Sequence, residues 1–337
     1  MSNLGELTTK LKILLFFSMF IFWGSCSSEE NELNYTEIKD SYLINCPEPP
    51  IEIMSSADEV SITRGEKLLN YFKIIQVSDN LYYMYYEAFK GDIVDTEEGL
   101  YFAYSNDCVH WIKQFPLSDS EDNTIIPSNI IGVDVVKVPD EKYPFRLFAT
   151  RLYGGEYGLY MLKSEDGITF RNEKKVLSGL YDTQNVVIVR NGIIKMYLRK
   201  WKDSSNRANG YVNIDIEGNV ISPLLMIRDN YLYNTAASVF EEKKYDFLFP
   251  TYFNTSESMG CSVKAYIVEG YNSKEIPCNI NSWLDSGELW AIVSPGILTI
   301  GGEHYIAYIT RTWYHDVKMP EGGVSKYKLL KIQIEDI

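Results

Sequence analysis

The thirteen residues Gly99 to Trp111, GLYFAYSNDCVHW, return as Gly158 to Phe170, GLYMLKSEDGITF. Gly, Leu, Tyr, Ser and Asp fall at matching positions, and an aromatic closes each copy. Each copy reads as a strand, a polar turn built on Ser-x-Asp, and the start of another strand. Recurrence after 59 residues predicts a repeat architecture in which each copy is one hairpin of a propeller blade.

Working outward, each copy is preceded by a second strand, Leu81–Phe89 (LYYMYYEAF) and Phe145–Leu152 (FRLFATRL). The same aromatic-aliphatic pattern recurs at Ile194–Trp201, Tyr245–Phe253 and His304–Trp313. Aligned on Tyr85, Phe148, Tyr197, Phe249 and Tyr308, the copies are spaced by 63, 49, 52 and 59 residues. Ahead of each lies an apolar strand that ends in a polar turn: Tyr71–Val77, Gly132–Val138, Asn185–Val189, Ala236–Phe240 and Gly296–Ile300. These are the predicted innermost strands. The expectation is an all-β five-bladed β-propeller, with four-stranded antiparallel blades around a central channel. The weakly alternating Gly323–Ile334 is a terminal strand that completes the first or last blade and removes an exposed edge. A β-sandwich accounts for the strands but not for their five-fold recurrence.

Composition agrees. The chain has 26 Tyr and 15 Phe and lacks long alanine- and leucine-rich stretches. Its net charge of −14 argues against nucleic acid, whose phosphates would be repelled, and leaves neutral or cationic ligands open. Cys46, Cys108, Cys261 and Cys278 form no C-x-x-C pair and have no His at ligand spacing, so neither metal nor cofactor is expected. A Cys261–Cys278 bridge and buried free thiols are both compatible with the spacing.

The N-terminus reads as a targeting segment. Lys10 and Lys12 precede the apolar run Ile13–Trp23 and then Gly24-Ser25-Cys26. Eleven apolar residues fall short of the roughly 20 that cross a bilayer. The Gly-Ser-Cys ending is similar to a bacterial lipobox, which implies lipidation of Cys26. The acidic stretch after it resembles the export tag of Bacteroidetes surface lipoproteins and is equally a soluble linker. The expected division is a signal peptide at 1–25, an acidic tether at 26–50 and a propeller at 51–337. The expected protein is a monomeric cell-envelope lipoprotein, held to the outer membrane or cell surface by its lipid alone.

The turns S-N-D-C-V-H-W and S-E-D-G-I-T-F resemble the blade turn of the five-bladed propellers of glycoside hydrolase families 32 and 43. Asp182-Thr-Gln-Asn-Val-Val with Lys195-Met-Tyr-Leu-Arg199, and Tyr233-Asn234 with Phe240-Glu241, look like segments of family 32-like hydrolases. The resemblance covers roughly residues 65–335 and implies a carbohydrate-active protein acting on an oligo- or polysaccharide. The chain departs from family 32 in three ways. No Trp-Met-Asn-Asp-Pro-Asn-Gly-like nucleophile motif precedes Tyr82, the Arg-Asp-Pro and Glu-Cys motifs are missing, and no β-sandwich follows. Invertase or levanase activity is therefore not carried over.

Glycoside cleavage needs two carboxyl groups about 5–10 Å apart, and a propeller supplies them from the starts of different inner strands. Asp134 is a charge within an apolar inner strand, a candidate catalytic group or an outward-facing residue of an alternating strand. Asp182 enters the third inner strand beside Gln184 and Asn185, a sugar-binding edge or an Asx turn. Glu241 follows the fourth inner strand, where E-E-K-K also reads as a charged hairpin turn. Glu87 ends the first second strand and either lines the pocket or faces water. Arg199 and Arg207 suit a carboxylated sugar or the tuning of a neighbouring acid, or else surface ion pairs. Arg151 and Arg311, three residues past the aligned aromatics of their blades, are read as counterparts of Arg199, so part of this arginine pattern is expected to be architectural. Tyr233 and Asn234, with His315 in Trp313-Tyr314-His315-Asp316, complete the candidate sugar-binding set, against a packing or turn role for the histidine.

Overall fold

The repeated turn is built the same way in both copies. Ser105 accepts from the Asp107 and Cys108 amides through its hydroxyl, and Asp107 Oδ1 accepts from the amides of Val109 (2.9 Å) and His110 (2.8 Å). Ser164 and Asp166 repeat the arrangement toward Gly167, Ile168 and Thr169. The fourth residue is left-handed in each, Gly167 at φ 77° and Cys108 at φ 64°. The side chains thus supply the acceptors that a tight change of strand direction denies the backbone.

The computed structural model describes residues 37–90, 98–117, 130–188, 192–201, 207–227, 235–239, 243–254, 260–283, 290–311 and 323–337. Five antiparallel sheets make up residues 38–337. Their inner strands are Leu68–Ser78, Ile130–Lys137, Tyr181–Ile188, Thr235–Val239 and Trp290–Ile300. Each pairs with a second strand, in turn Leu81–Phe89, Phe145–Tyr153, Ile194–Trp201, Asp246–Asn254 and Glu303–Arg311. Third strands follow at Glu98–Ser105, Glu156–Ser164, Arg207–Ile214, Ala265–Glu269 and Ser325–Asp336. The five-bladed propeller expected from the repeat is the observed fold, and Gly99 and Gly158 lie in third strands as the repeat implies.

The C-terminal strand completes the last blade, as expected, and does so as its third strand. The outer position is taken by Tyr42–Asn45, which runs antiparallel to it with Tyr42 opposite Asp336, while Ile51–Ser55 pairs further along the same strand. The blade sheet therefore begins at Tyr42 rather than after Pro50. Cys278 is a free thiol, as are Cys46 and Cys108, so the Cys261–Cys278 bridge does not form.

Packing explains the ring. Side chains alternate across each second strand, so one blade contributes to two different cores. Tyr85 and Phe102 pack on Phe145 and Leu147 of blade two, while Met84 and Tyr86 pack on Ile309 and Tyr327 of blade five. Phe148 and Met161 meet Met196 and Val212, Tyr197 and Tyr211 meet Leu248 and Tyr266, and Phe247 meets Ile306 and Leu330. Five blades thus enclose five interblade cores. The aligned aromatics Tyr85, Phe148, Tyr197, Phe249 and Tyr308 are all at most 1 % exposed, each worth about 1.5–3 kcal/mol of burial.

Candidate functional site

Inner strands begin where second strands end, because each pair is antiparallel. At that end of the ring, two residues past the aligned aromatic, stand Glu87, Thr150, Arg199, Thr251 and Thr310, all buried. Two of them reach directly to the start of the next inner strand. The Thr150 hydroxyl donates to the Tyr181 carbonyl. Glu87 Oε1 accepts from the Gly132 amide at 3.1 Å and the Val133 amide at 3.4 Å, and its Oε2 accepts from Asn70 Nδ2 at 3.2 Å.

Gly132 makes the Glu87 contact possible. Between Ile131 and Asp134 two residues face one on the partner strand, a β-bulge with Gly132 at φ 63°. A left-handed residue there turns two successive amides to the same side, where one carboxylate oxygen takes both.

On the other side of blade one, Arg311 Nη2 donates to the Leu69 carbonyl (3.0 Å) and to Asn70 Oδ1 (2.8 Å). Burial pushes the Arg311 guanidinium down to about 10, partly offset by Tyr71, Tyr327 and Glu87. Asn70 thus bridges Arg311 and Glu87, and joins blades five, one and two at the start of the first inner strand. Neither Asn70 nor this bridging role is visible in the sequence, where Asn70 is one polar residue before an aromatic run.

Asp134 is fully buried, and its Oδ1 lies 3.0 Å from Lys73 Nζ on the inner strand of blade one. Lys73 is the sequence counterpart of Asp134, a single charge in an apolar strand, and the two meet between neighbouring inner strands. Asp134 stands opposite Phe148, deeper along its strand than Glu87 is along blade one. Asp182 stands opposite Arg199, which in turn stands opposite Asn209 on the third strand, a polar row across the start of blade three. Asn185 pairs with Tyr197 after a bulge that includes Gln184. Arg207 begins the third strand of blade three, opposite Trp201.

Glu241, Tyr233, Asn234, His315 and Cys26 lie outside the described residues, as do the side chains of Asp182, Gln184, Asn185 and Arg207. Arg151 turns away from the channel end: it pairs with Glu173 on the outer strand of its own blade and lies over the Tyr153 ring at 4.3 Å. Among the described residues no group of His, Cys, Asp and Glu is placed to hold a metal ion, and no helix is long and apolar enough to cross a membrane.

No protein-family model matches the sequence, and no curated protein matches it. Solved structures do. An endo-arabinase from Bacteroides thetaiotaomicron superposes with a TM-score of 0.55 at 12% identity, over 86% of this chain and 97% of that one. The exo-β-1,3-galactanase of Phanerochaete chrysosporium gives 0.56 at 13% identity, over 83% of this chain and 64% of the galactanase. A glycoside hydrolase family 43 protein from Bacillus licheniformis gives 0.52 at 16% identity, over 79% of this chain and 53% of that one. The chain has the five-bladed propeller fold of family 43 enzymes. At these identities the likeness is one of fold, and this chain spans less than two thirds of the galactanase it resembles.

Proposed function

We propose that this protein is a glycoside hydrolase that cleaves an oligo- or polysaccharide at the channel end where the inner strands begin. The observation that carries the reading is Asp182 at the start of the third inner strand, directly opposite buried Arg199, on a fold shared with an endo-arabinase and an exo-galactanase. We assign to Asp182 the ionised role, that of the group that stabilises charge or activates water. Asp134 and Glu241 are the proposed partner acids. Glu87, Gln184, Asn185, Arg199, Arg207, Tyr233, Asn234 and His315 supply sugar contacts. The mature protein is further proposed to reside in the cell envelope, lipidated at Cys26.

Sugar release from a panel of plant and microbial glycans tests this reading. Asp182→Asn or Asp134→Asn is expected to abolish release, and turnover retained in both variants sinks the assignment. Cys26→Ala is expected to free the protein from the membrane fraction.

A second reading, a glycan-binding protein without turnover, is favoured by one observation. Two buried carboxylates of the candidate site, Glu87 and Asp134, are already engaged with amides, Asn70 and Lys73. Glycan binding that survives loss of each carboxylate, with no product formed, selects it.

A further inference from the structure

The hairpin that joins the second and third strands of blade two stands at the channel end, where second strands finish. Its turn is Tyr153-Gly154-Gly155-Glu156, with both glycines left-handed at φ 57° and 86°. A two-residue turn of this kind demands positive φ at both central positions, and it fixes the register of the strands it joins. That register sets Leu152 directly opposite Tyr157, and Tyr153 opposite Glu156. Side chains alternate along a strand, so the two pairs lie on opposite faces of the hairpin.

The Tyr153 ring is held by contacts within its own blade, against the Arg151 guanidinium and edge-on to Tyr160 at 5.3 Å. The other face meets water: Leu152 is 41% exposed and Tyr157 36%. It is the face that looks toward blade three, because Phe148, Leu159 and Met161 on the same side pack against that blade. Thr150, also on that side, donates to the Tyr181 carbonyl, and the Tyr157 carbonyl accepts from the Gly179 amide at 2.9 Å. Both contacts fall where the chain enters the third inner strand, whose second residue is Asp182. Leu152 stands two residues, about 7 Å of strand, beyond Thr150. The exposed pair therefore borders the channel end beside the entry of Asp182.

A cross-strand pair of an aliphatic side chain and an aromatic ring spans about 5 Å between Cβ atoms and offers one apolar surface with a polar hydroxyl at its edge. A six-membered sugar ring has the matching form, with C–H groups gathered on a face and hydroxyls around the rim. In a chain of net charge −14, with exposed Glu156 in the same turn, an acidic sugar is repelled and a neutral one is not. We propose that Leu152 and Tyr157 form a stacking shelf for a neutral pyranose unit of a glycan that runs outward from Asp182 over blade two. The proposal rests on the carbohydrate reading above, and it makes Tyr157 a binding residue rather than a catalytic one.

The test uses the full chain with di- and tetrasaccharides of β-galactan, β-xylan and β-glucan, and with tetragalacturonate. Affinity is read by calorimetry as Kd where no product forms, and as KM beside kcat where one does. At least one neutral tetrasaccharide is expected to bind about tenfold more tightly than its disaccharide, and more tightly than tetragalacturonate. Tyr157→Ala is expected to remove that gain without lowering kcat. Tyr157→Phe keeps the ring and is expected to keep the gain. Ile221→Ser, at a 50% exposed position beyond the far end of a third strand, is expected to leave it unchanged. The proposal is overturned by any of four results: no gain with length for any neutral probe, preference for tetragalacturonate, a gain untouched by Tyr157→Ala, or a gain lost equally in Tyr157→Phe or Ile221→Ser. The two readings fail separately. Cleavage indifferent to Tyr157→Ala removes the shelf and keeps the hydrolase. Length-dependent binding that Tyr157→Ala abolishes, with no product formed, does the reverse.

Discussion

The Tyr85 hydroxyl donates to the Gly167 carbonyl at 2.7 Å, tying the second strand of blade one to the repeated turn of blade two. Tyr197, the same position in blade three, donates to Asp246 at the start of the second strand of blade four. The repeat thus supplies both halves of an interblade contact, an aromatic hydroxyl on one blade and a polar group at a strand end on the next.

Tyr85→Phe is expected to cost about 1 kcal/mol, because a buried carbonyl loses its donor. Gly167→Ala is expected to cost more. Its φ of 77° adds about 1–2 kcal/mol for any L side chain, and an added Cβ would sit 2.9 Å from the Tyr85 hydroxyl oxygen. The two changes act on one contact, so urea unfolding of the double variant should show a sum well short of additive.

Lys73 and Asp134 should behave as a buried pair. Lys73→Met leaves the Asp134 carboxylate deep between two inner strands, with an expected loss of about 3–5 kcal/mol. Lys73→Met with Asp134→Leu should recover much of it, as chemical denaturation would reveal. Recovery of stability without recovery of sugar release would separate the packing role of Asp134 from its proposed chemistry.

The turn at Asp107 gives stability a pH dependence. The His110 side chain, then the His110 and Val109 amides, hold the Asp107 carboxyl well below the usual carboxylate range. A folded pKa below the unfolded value of about 3.9 means the turn's contribution is complete above that pH and declines as acid is added. Asp107→Asn is expected to flatten the slope of thermal stability between about pH 5 and pH 3, read by calorimetry across that range.

Burial pushes the thiols of Cys46 and Cys108 up to about 12. Both should resist iodoacetamide in the native protein at pH 8 and label rapidly in denaturant, as mass spectrometry would show. Fast native labelling of Cys108 would mean that the first repeated turn is open.

Ile44 is fully buried in the core between blades four and five. Its amide donates to the Pro277 carbonyl at 2.9 Å, and its carbonyl accepts from Asn279. Ile44→Ala should therefore cost about 2–5 kcal/mol, a change that thermal unfolding would resolve. A chain starting at Ile51 should lose more than this single substitution.

The strands were legible because their spacing repeats and because an aromatic marks the same place in every blade. The bulge at Gly132 was not, although a glycine ahead of Val133-Asp134-Val135 is its trace. A glycine signals freedom to turn, but only the register with Phe148 and Thr150 shows which amides the turn exposes. Asp134 stood out as a charge in an apolar strand, but its partner Lys73 was not singled out. Their meeting depends on how neighbouring blades are staggered, which no local pattern encodes. The position of Tyr42–Asn45 escaped for a related reason. Four residues within a polar stretch carry little periodicity, and their partners lie near the other end of the chain.

That pairing of Tyr42 with Asp336 sets an order of events in folding. Blades one to four can form from contiguous chain as it becomes available, each by contacts between near neighbours in sequence. Blade five cannot. Its outer strand, Tyr42–Asn45, precedes blades one to four in the chain and must wait, unpaired, until Ser325–Asp336 is made to receive it. Loop closure between segments as far apart in sequence as Tyr42 and Asp336 is the slowest class of contact to form. The edge of Ser325–Asp336 is where an incompletely folded molecule remains adhesive longest.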